Sequence, residues 1–115
     1  IHAHGRLQDV LNHIVAMEPD ALDPIEPPPQ GDVELGDVRK QYGKQLVLFG
    51  NLEITDVENL PPVQFEQKVK RALDEGTSGS GRGFVLMPSA APYGRTISST
   101  TLRNYETMVR AAETW

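Results

Sequence analysis

Hydrophobic residues along this chain fall either at the helical spacing of three to four residues or in short runs typical of strands. Helical spacing marks the segment from Leu7 to Val15, which Pro19 helps to stop, and the segment from Phe65 to Leu73. A last helix is expected to open at Ser98 or Ser99, because serine is a favoured N-cap, and to continue to residue 112. A short helix is also predicted after Asp32 as its cap, with Gly43 at its end.

Strand-like segments alternate with these helices. They are the opening residues 1–5, the short apolar piece 21–25, and the runs 45–50 and 83–87. The run 45–50 is expected to be buried on both faces of a parallel sheet, because it is continuously apolar. Prolines 27–29 must lie in a loop, because proline cannot donate to a sheet ladder, and residues 77–81 resemble a flexible linker.

Four strand-helix units with short connections predict right-handed βαβ crossovers and a parallel sheet. Such units form either half of a (β/α)8 barrel or the core of a small open α/β domain, and residues 1–115 are expected to be one domain. No G-x-G-x-x-G follows the first strand and no G-K-[ST] occurs, so nucleotide-binding loops are not indicated.

Composition narrows the classes of function. Eleven basic against sixteen acidic residues give a net charge of -5, which argues against nucleic-acid and membrane-surface binding. The absence of cysteine excludes disulfides, thiolate metal ligands and a cysteine nucleophile, and it agrees with a cytoplasmic location. No apolar run approaches the roughly 20 residues of a membrane span, so we expect a soluble chain.

Four strand-end and helix motifs together resemble the C-terminal half of the uroporphyrinogen decarboxylase superfamily. The resemblance covers essentially the whole chain and rests on the order and spacing of His2-Ala3-His4-Gly5, Pro24-Ile25-Glu26-Pro27-Pro28, Leu48-Phe49-Gly50-Asn51-Leu52-Glu53 and Arg103-Asn104-Tyr105. It implies the C-terminal half of a (β/α)8 TIM barrel, four parallel βα units, whose missing N-terminal half would precede Ile1.

The resemblance also implies an enzyme, either a corrinoid-dependent methyltransferase or a decarboxylase acting on a tetrapyrrole. The decarboxylases carry a histidine-glycine pair where this chain has Ser89-Ala90-Ala91-Pro92. The methyltransferases hold zinc with a His-x-Cys pair and a late cysteine, where this chain has His2-x-His4 and alanine. A methyltransferase-like activity at the carboxyl ends of the strands is therefore the first expectation, with a corrinoid protein as a partner.

Metal binding is one prediction for these strand ends. His2 and His4 project to the same side of a strand, and with Glu26 they form a candidate set of two histidines and a carboxylate for zinc. The alternative is that both histidines are hydrogen-bonded residues lining a wet cavity.

Glu26 is the candidate catalytic acid or base, since a partly buried carboxyl has a raised pKa, although an ordinary loop acid is the alternative. Candidate substrate-binding residues are Asn51 and Glu53 after the third strand and Tyr93 and Arg95 after the last. Asn51 is equally consistent with a turn residue, and Arg95 with a solvated loop arginine.

A third hypothesis is not enzymatic. Four adjacent barrel strands leave unpaired edges and an uncovered interior, so an isolated piece of this kind is expected to be inactive and to associate with its missing half or with a second copy of the chain. Nucleic acids and membranes are not expected as partners.

Overall fold

Five helices and three strands follow one another in the computed structural model, which describes residues 1–115. In chain order they are α1 (Leu11–Ala16), β1 (Ala21–Leu22), α2 (Leu35–Tyr42), β2 (Val47–Leu52), α3 (Ile54–Asn59), α4 (Pro62–Thr77), β3 (Phe84–Pro88) and α5 (Ser99–Glu113). None of these helices combines the length and the apolar character needed to cross a membrane.

The three strands form one parallel sheet in the order β1-β2-β3. The expected four βα units of a TIM half-barrel are therefore wrong, and the chain is a small α/β domain. The opening segment contributes a single bridge, between His2 and Asp23, because the chain turns away at Gly5, whose φ is +80°. Pro24 lacks an N–H group, which limits β1 to two residues.

One face of the sheet carries the core. Leu22, Leu48 and Leu52 point to this face, where all five helices contribute to a single cluster of buried apolar residues. Burial alternates along β2, so the expectation that this strand is buried on both faces is wrong. The helices cover only one side of the sheet.

The two long helices confirm the helical periodicity. Helix α4 buries Phe65, Val69 and Leu73, and α5 begins after Ser98, whose Oγ accepts the Thr101 N–H at 3.0 Å. Helix α2 ends at Gly43 as predicted but begins after Glu34. The predicted cap, Asp32, instead accepts the N–H groups of residues 7 and 8, because those groups precede α1 without other partners.

Candidate functional site

Polar side chains gather where the parallel strands end. Glu26 follows β1, Asn51 and Glu53 lie at the end of β2, and Ser89 follows β3. The opening segment adds His4 beside Glu26. Because ligands of open parallel sheets bind outside the carboxyl ends of the strands, this edge is the candidate site.

Glu26 and His4 form a hydrogen-bonded pair. Glu26 is only 8% exposed, and its Oε1 lies 2.9 Å from Nδ1 of His4. The other oxygen, Oε2, accepts the N–H of Gly5. The left-handed backbone of Gly5 is readily adopted only by glycine, and it turns this N–H toward the carboxylate. With a carboxylate at Nδ1, the favoured tautomer leaves Nε2 free, on a side chain that is 47% exposed.

A second histidine and carboxylate lie next to this pair. Nδ1 of His2 is 2.6 Å from Oδ2 of Asp23, and the two imidazole rings meet edge to face with their centres 4.6 Å apart. The other oxygen of Asp23, Oδ1, is buried without a hydrogen-bond partner. Both histidines are thus oriented by a carboxylate from the loop that follows β1.

Glu53 is the second buried carboxyl of the site, at 5% exposure. Burial raises its pKa above the ordinary value of 4.5, and the negative charge of Glu26 raises it further. The Ser89 hydroxyl lies 3.4 Å from Oε2 and opposes this rise, while it also accepts the Ile54 N–H at 3.2 Å. Oε1 of Glu53 is buried without a partner. Burial and the neighbouring charge therefore make Glu53 harder to ionise than an ordinary glutamate.

A polar cavity of about 110 Å³ opens beside Asn51 and Glu53. Its opposite wall belongs to α4 and includes Phe65, Lys68 and Arg71, and the Lys68 ammonium lies 2.6 Å from Asp56. Because pockets for drug-sized ligands measure about 300–1,000 Å³, this cavity suits several water molecules or one small polar group.

The predicted zinc ligands do not converge as a set of three. No group of three His, Cys, Asp or Glu side chains in the chain is placed to hold a metal ion. Both oxygens of Glu26 are already engaged, by His4 and by Gly5. The residues present do not fit a three-ligand zinc site in this arrangement, and zinc stays a prediction from the sequence.

The structure brings together five of the seven predicted site residues and leaves two apart. His2, His4, Glu26 and Glu53 are connected by the contacts and charge interactions described above. Asn51 lies half-buried at the end of β2 and lines the cavity. Tyr93 and Arg95 are exposed and their side chains make no hydrogen bond or ion pair.

Three participants were not identified from the sequence: Asp23, which orients His2, Ser89, which contacts Glu53, and Gly5, which donates to Glu26. Ser89 could have been found by asking which polar residue directly follows the last parallel strand, since that position adjoins the ends of the neighbouring strands. The partners of the two imidazoles have no sequence signal, because they depend on where the loop after β1 runs.

Comparison with known proteins gave no match for this chain among protein-family models, curated proteins or solved structures.

Proposed function

We propose that this chain carries the acid-base site of a methyltransferase-like enzyme of the uroporphyrinogen decarboxylase superfamily. The observation that supports the proposal is the position of two buried carboxyls, Glu26 and Glu53, at one sheet edge and in different surroundings. The two oxygens of Glu26 accept from His4 and Gly5, whereas burial raises the pKa of Glu53. Two neighbouring carboxyls in different surroundings are typical of acid and base roles in one site.

His4 takes the role of base in this proposal. The thiolate, not the thiol, is the nucleophile that accepts a methyl group, so a base must remove the thiol proton. Nε2 of His4 is free and accessible, and Glu26 behind Nδ1 stabilises the imidazolium that forms. Glu26 is therefore a positioning residue that acts through His4.

Glu53 supplies a proton or a hydrogen bond from its neutral carboxyl. Its burial and the Glu26 charge keep the proton on Glu53 above the pH at which an ordinary glutamate loses it. The Ser89 hydroxyl fixes the orientation of the Glu53 side chain. The half-buried amide of Asn51 is placed to orient a polar group of the substrate at the mouth of the cavity.

A decarboxylase of the tetrapyrrole type is the second candidate, and the raised pKa of the buried Glu53 carboxyl is the feature that favours it. Loss of carbon dioxide leaves a carbanion that must receive a proton, which a protonated carboxyl can deliver. Ser89 stands where that family has its histidine-glycine pair, so methyl transfer remains the first proposal.

The test is methyl transfer from methylcobalamin to 2-mercaptoethanol by the natural protein that carries this chain, followed by the loss of methylcobalamin absorbance. His4→Gln and Glu26→Gln are expected to lower the rate by about 100-fold or more, as expected for lost acid-base catalysis. His13→Gln, at an exposed position on α1, is the matched control and should leave the rate unchanged.

Two outcomes would overturn the proposal. The first is a His4→Gln variant as active as the His13→Gln control. The second is no methyl transfer by the unaltered protein above the rate of the reagents alone. Loss of carboxylate from uroporphyrinogen by the same sample would then assign the site to the second candidate.

A further inference from the structure

Residues 90–97, which connect β3 to α5 and which we call the β3–α5 loop, are held by very few contacts. One hydrogen bond joins them to the rest of the chain, from the Tyr93 N–H to the carboxylate of Glu58 at 2.8 Å. None of these residues belongs to the apolar core or packs against it. A segment with so few hydrogen bonds and apolar contacts changes its position at a low cost in free energy.

The β3–α5 loop exposes large apolar side chains next to the candidate site. Tyr93 is 69% exposed and Ile97 is 57% exposed, and the loop begins directly after Ser89, which contacts Glu53. Large apolar side chains are stabilised when they leave water. A loop position that covers Tyr93 is therefore favoured wherever the loop can reach an apolar surface.

Both ends of the loop are fixed, whereas its middle is free to change conformation. Ser89 is buried, and its N–H donates to the Leu52 carbonyl oxygen at 2.7 Å. At the other end, the Ser98 hydroxyl caps α5. Gly94 lies halfway between them with a φ of +83°, and glycine enters and leaves this left-handed region without a steric penalty. The loop can therefore move while the sheet and α5 stay in place.

The loop is long enough to cross the carboxyl edge of the sheet. Because the sheet order is β1-β2-β3, the proline segment that follows β1 lies two strand spacings from the end of β3, which is about 10 Å. Four extended residues span about 13 Å, so Tyr93, the fourth residue after Ser89, has the reach to contact Pro28. On its way the loop crosses the end of β2, where Asn51 and Glu53 lie.

The surface on the far side of this edge is apolar and rigid. Pro27 and Pro28 line the same cavity as Asn51 and Glu53, and Pro28 is exposed. Proline has a fixed φ and loses no side-chain freedom when it is covered. A tyrosine ring packed on these prolines buries apolar surface on both partners while its hydroxyl stays in water.

We propose that the β3–α5 loop is a lid that closes across the carboxyl edge of the sheet, with Tyr93 packed against Pro28. The Glu58 carboxylate holds the open position, through its hydrogen bond with the Tyr93 N–H. The structure shows this open position.

Closure completes the candidate site. It places the loop over Asn51 and Glu53 and brings Arg95 toward them, whereas the open position leaves Arg95 exposed and apart. A closed loop also excludes water from the Glu53 carboxyl, which strengthens electrostatic interactions there. This inference does not depend on the acid-base roles proposed for the two buried carboxyls.

Disulfide trapping in the natural protein that carries this chain tests the closed position. Tyr93→Cys and Pro28→Cys are combined in one variant, oxidised glutathione is added as the oxidant, and peptide mass mapping follows the bond between positions 28 and 93. A disulfide needs Cα atoms less than about 7 Å apart, so the bond reports an approach of the loop to Pro28. Ser80→Cys with Pro28→Cys is the matched control, since Ser80 is equally exposed on the glycine-rich loop at the amino end of the sheet.

The lid predicts a 28–93 bond that forms at least about tenfold faster than the 28–80 bond, because only the first pair has a high effective concentration. Glu58→Ala removes the hydrogen bond of the open position and should raise the 28–93 rate by about fivefold. A 28–93 bond that forms no faster than the 28–80 bond would overturn the proposal, and a rate that Glu58→Ala leaves unchanged would contradict the role of Glu58. If Pro28→Cys fails to fold, the neighbouring exposed Pro29 takes its place in both pairs.

Discussion

Replacement of Asn104 by alanine should be among the most destabilising single changes in α5. The Asn104 side chain is fully buried, and its Nδ2 donates to the carbonyl oxygens of Val57 and Leu60, both at 2.9 Å. These carbonyls lie at the end of α3, where no intrahelical donor is available to them. The residue four positions after Val57 is Pro61, which has no N–H.

The magnitude follows from these contacts. Each buried carbonyl left without a donor costs about 1–3 kcal/mol, so two cost about 4 kcal/mol. Removal of the Asn104 Oδ1, which is buried without a partner, returns about 1 kcal/mol. The net loss is about 3 kcal/mol, which corresponds to a fall in Tm of about 12 °C for a 115-residue chain.

Urea unfolding followed by circular dichroism measures this loss. Asn59→Ala is the matched control, because Asn59 also donates to a backbone carbonyl, that of Thr55, but is exposed. It should cost no more than about 0.5 kcal/mol. Asn104→Asp keeps the shape but replaces the donor by an acceptor, and should cost more than Asn104→Ala. An alanine variant at position 104 as stable as the one at position 59 would refute the reasoning.

Two further changes test the site and the core. Because burial raises the pKa of Glu53 in the fold, the native state loses stability as the pH rises from about 4.5 through the raised pKa. Glu53→Gln should therefore be more stable than the unaltered chain at pH 7 but not at pH 4, as measured by urea unfolding at both. Gly76→Ala should lower the free energy of unfolding by about 1–3 kcal/mol, because the added Cβ lies 2.5 Å from the Phe84 ring. Gly36→Ala is the control, because its Cβ meets only the flexible Glu75 side chain, and it should leave stability unchanged or raise it. Thermal melts measure both.

The elements with strong periodicity could be predicted from the sequence. Helices α4 and α5 have long apolar stripes, and Ser98 is a favourable cap, so their positions were predicted closely. Helix α3 was missed because its six residues are too few to show a periodic stripe. The predicted opening strand, residues 1–5, is reduced to a single bridge, because strand length depends on backbone pairing, which Gly5 and Pro24 interrupt.

The location of the candidate site could be predicted from the sequence, but the hydrogen bonds between its residues could not. Residues that follow parallel strands meet at one edge, and this rule identified Glu26, Asn51 and Glu53. It gave no information on which carboxylate orients which histidine. The assignment of Glu26 as a metal ligand assumed a free carboxylate, whereas the structure shows both of its oxygens occupied.

The most direct test of the acid-base account is a carbon-13 NMR titration of the glutamate carboxyls in the unaltered chain and in Glu26→Gln. The account predicts that Glu53 titrates above its ordinary pKa of 4.5, and that its pKa falls in Glu26→Gln because a negative neighbour is removed. Glu113→Gln, on the last turn of α5, should leave the Glu53 titration unchanged. A Glu53 that titrates in the ordinary range, or that does not respond to Glu26→Gln, would contradict the account.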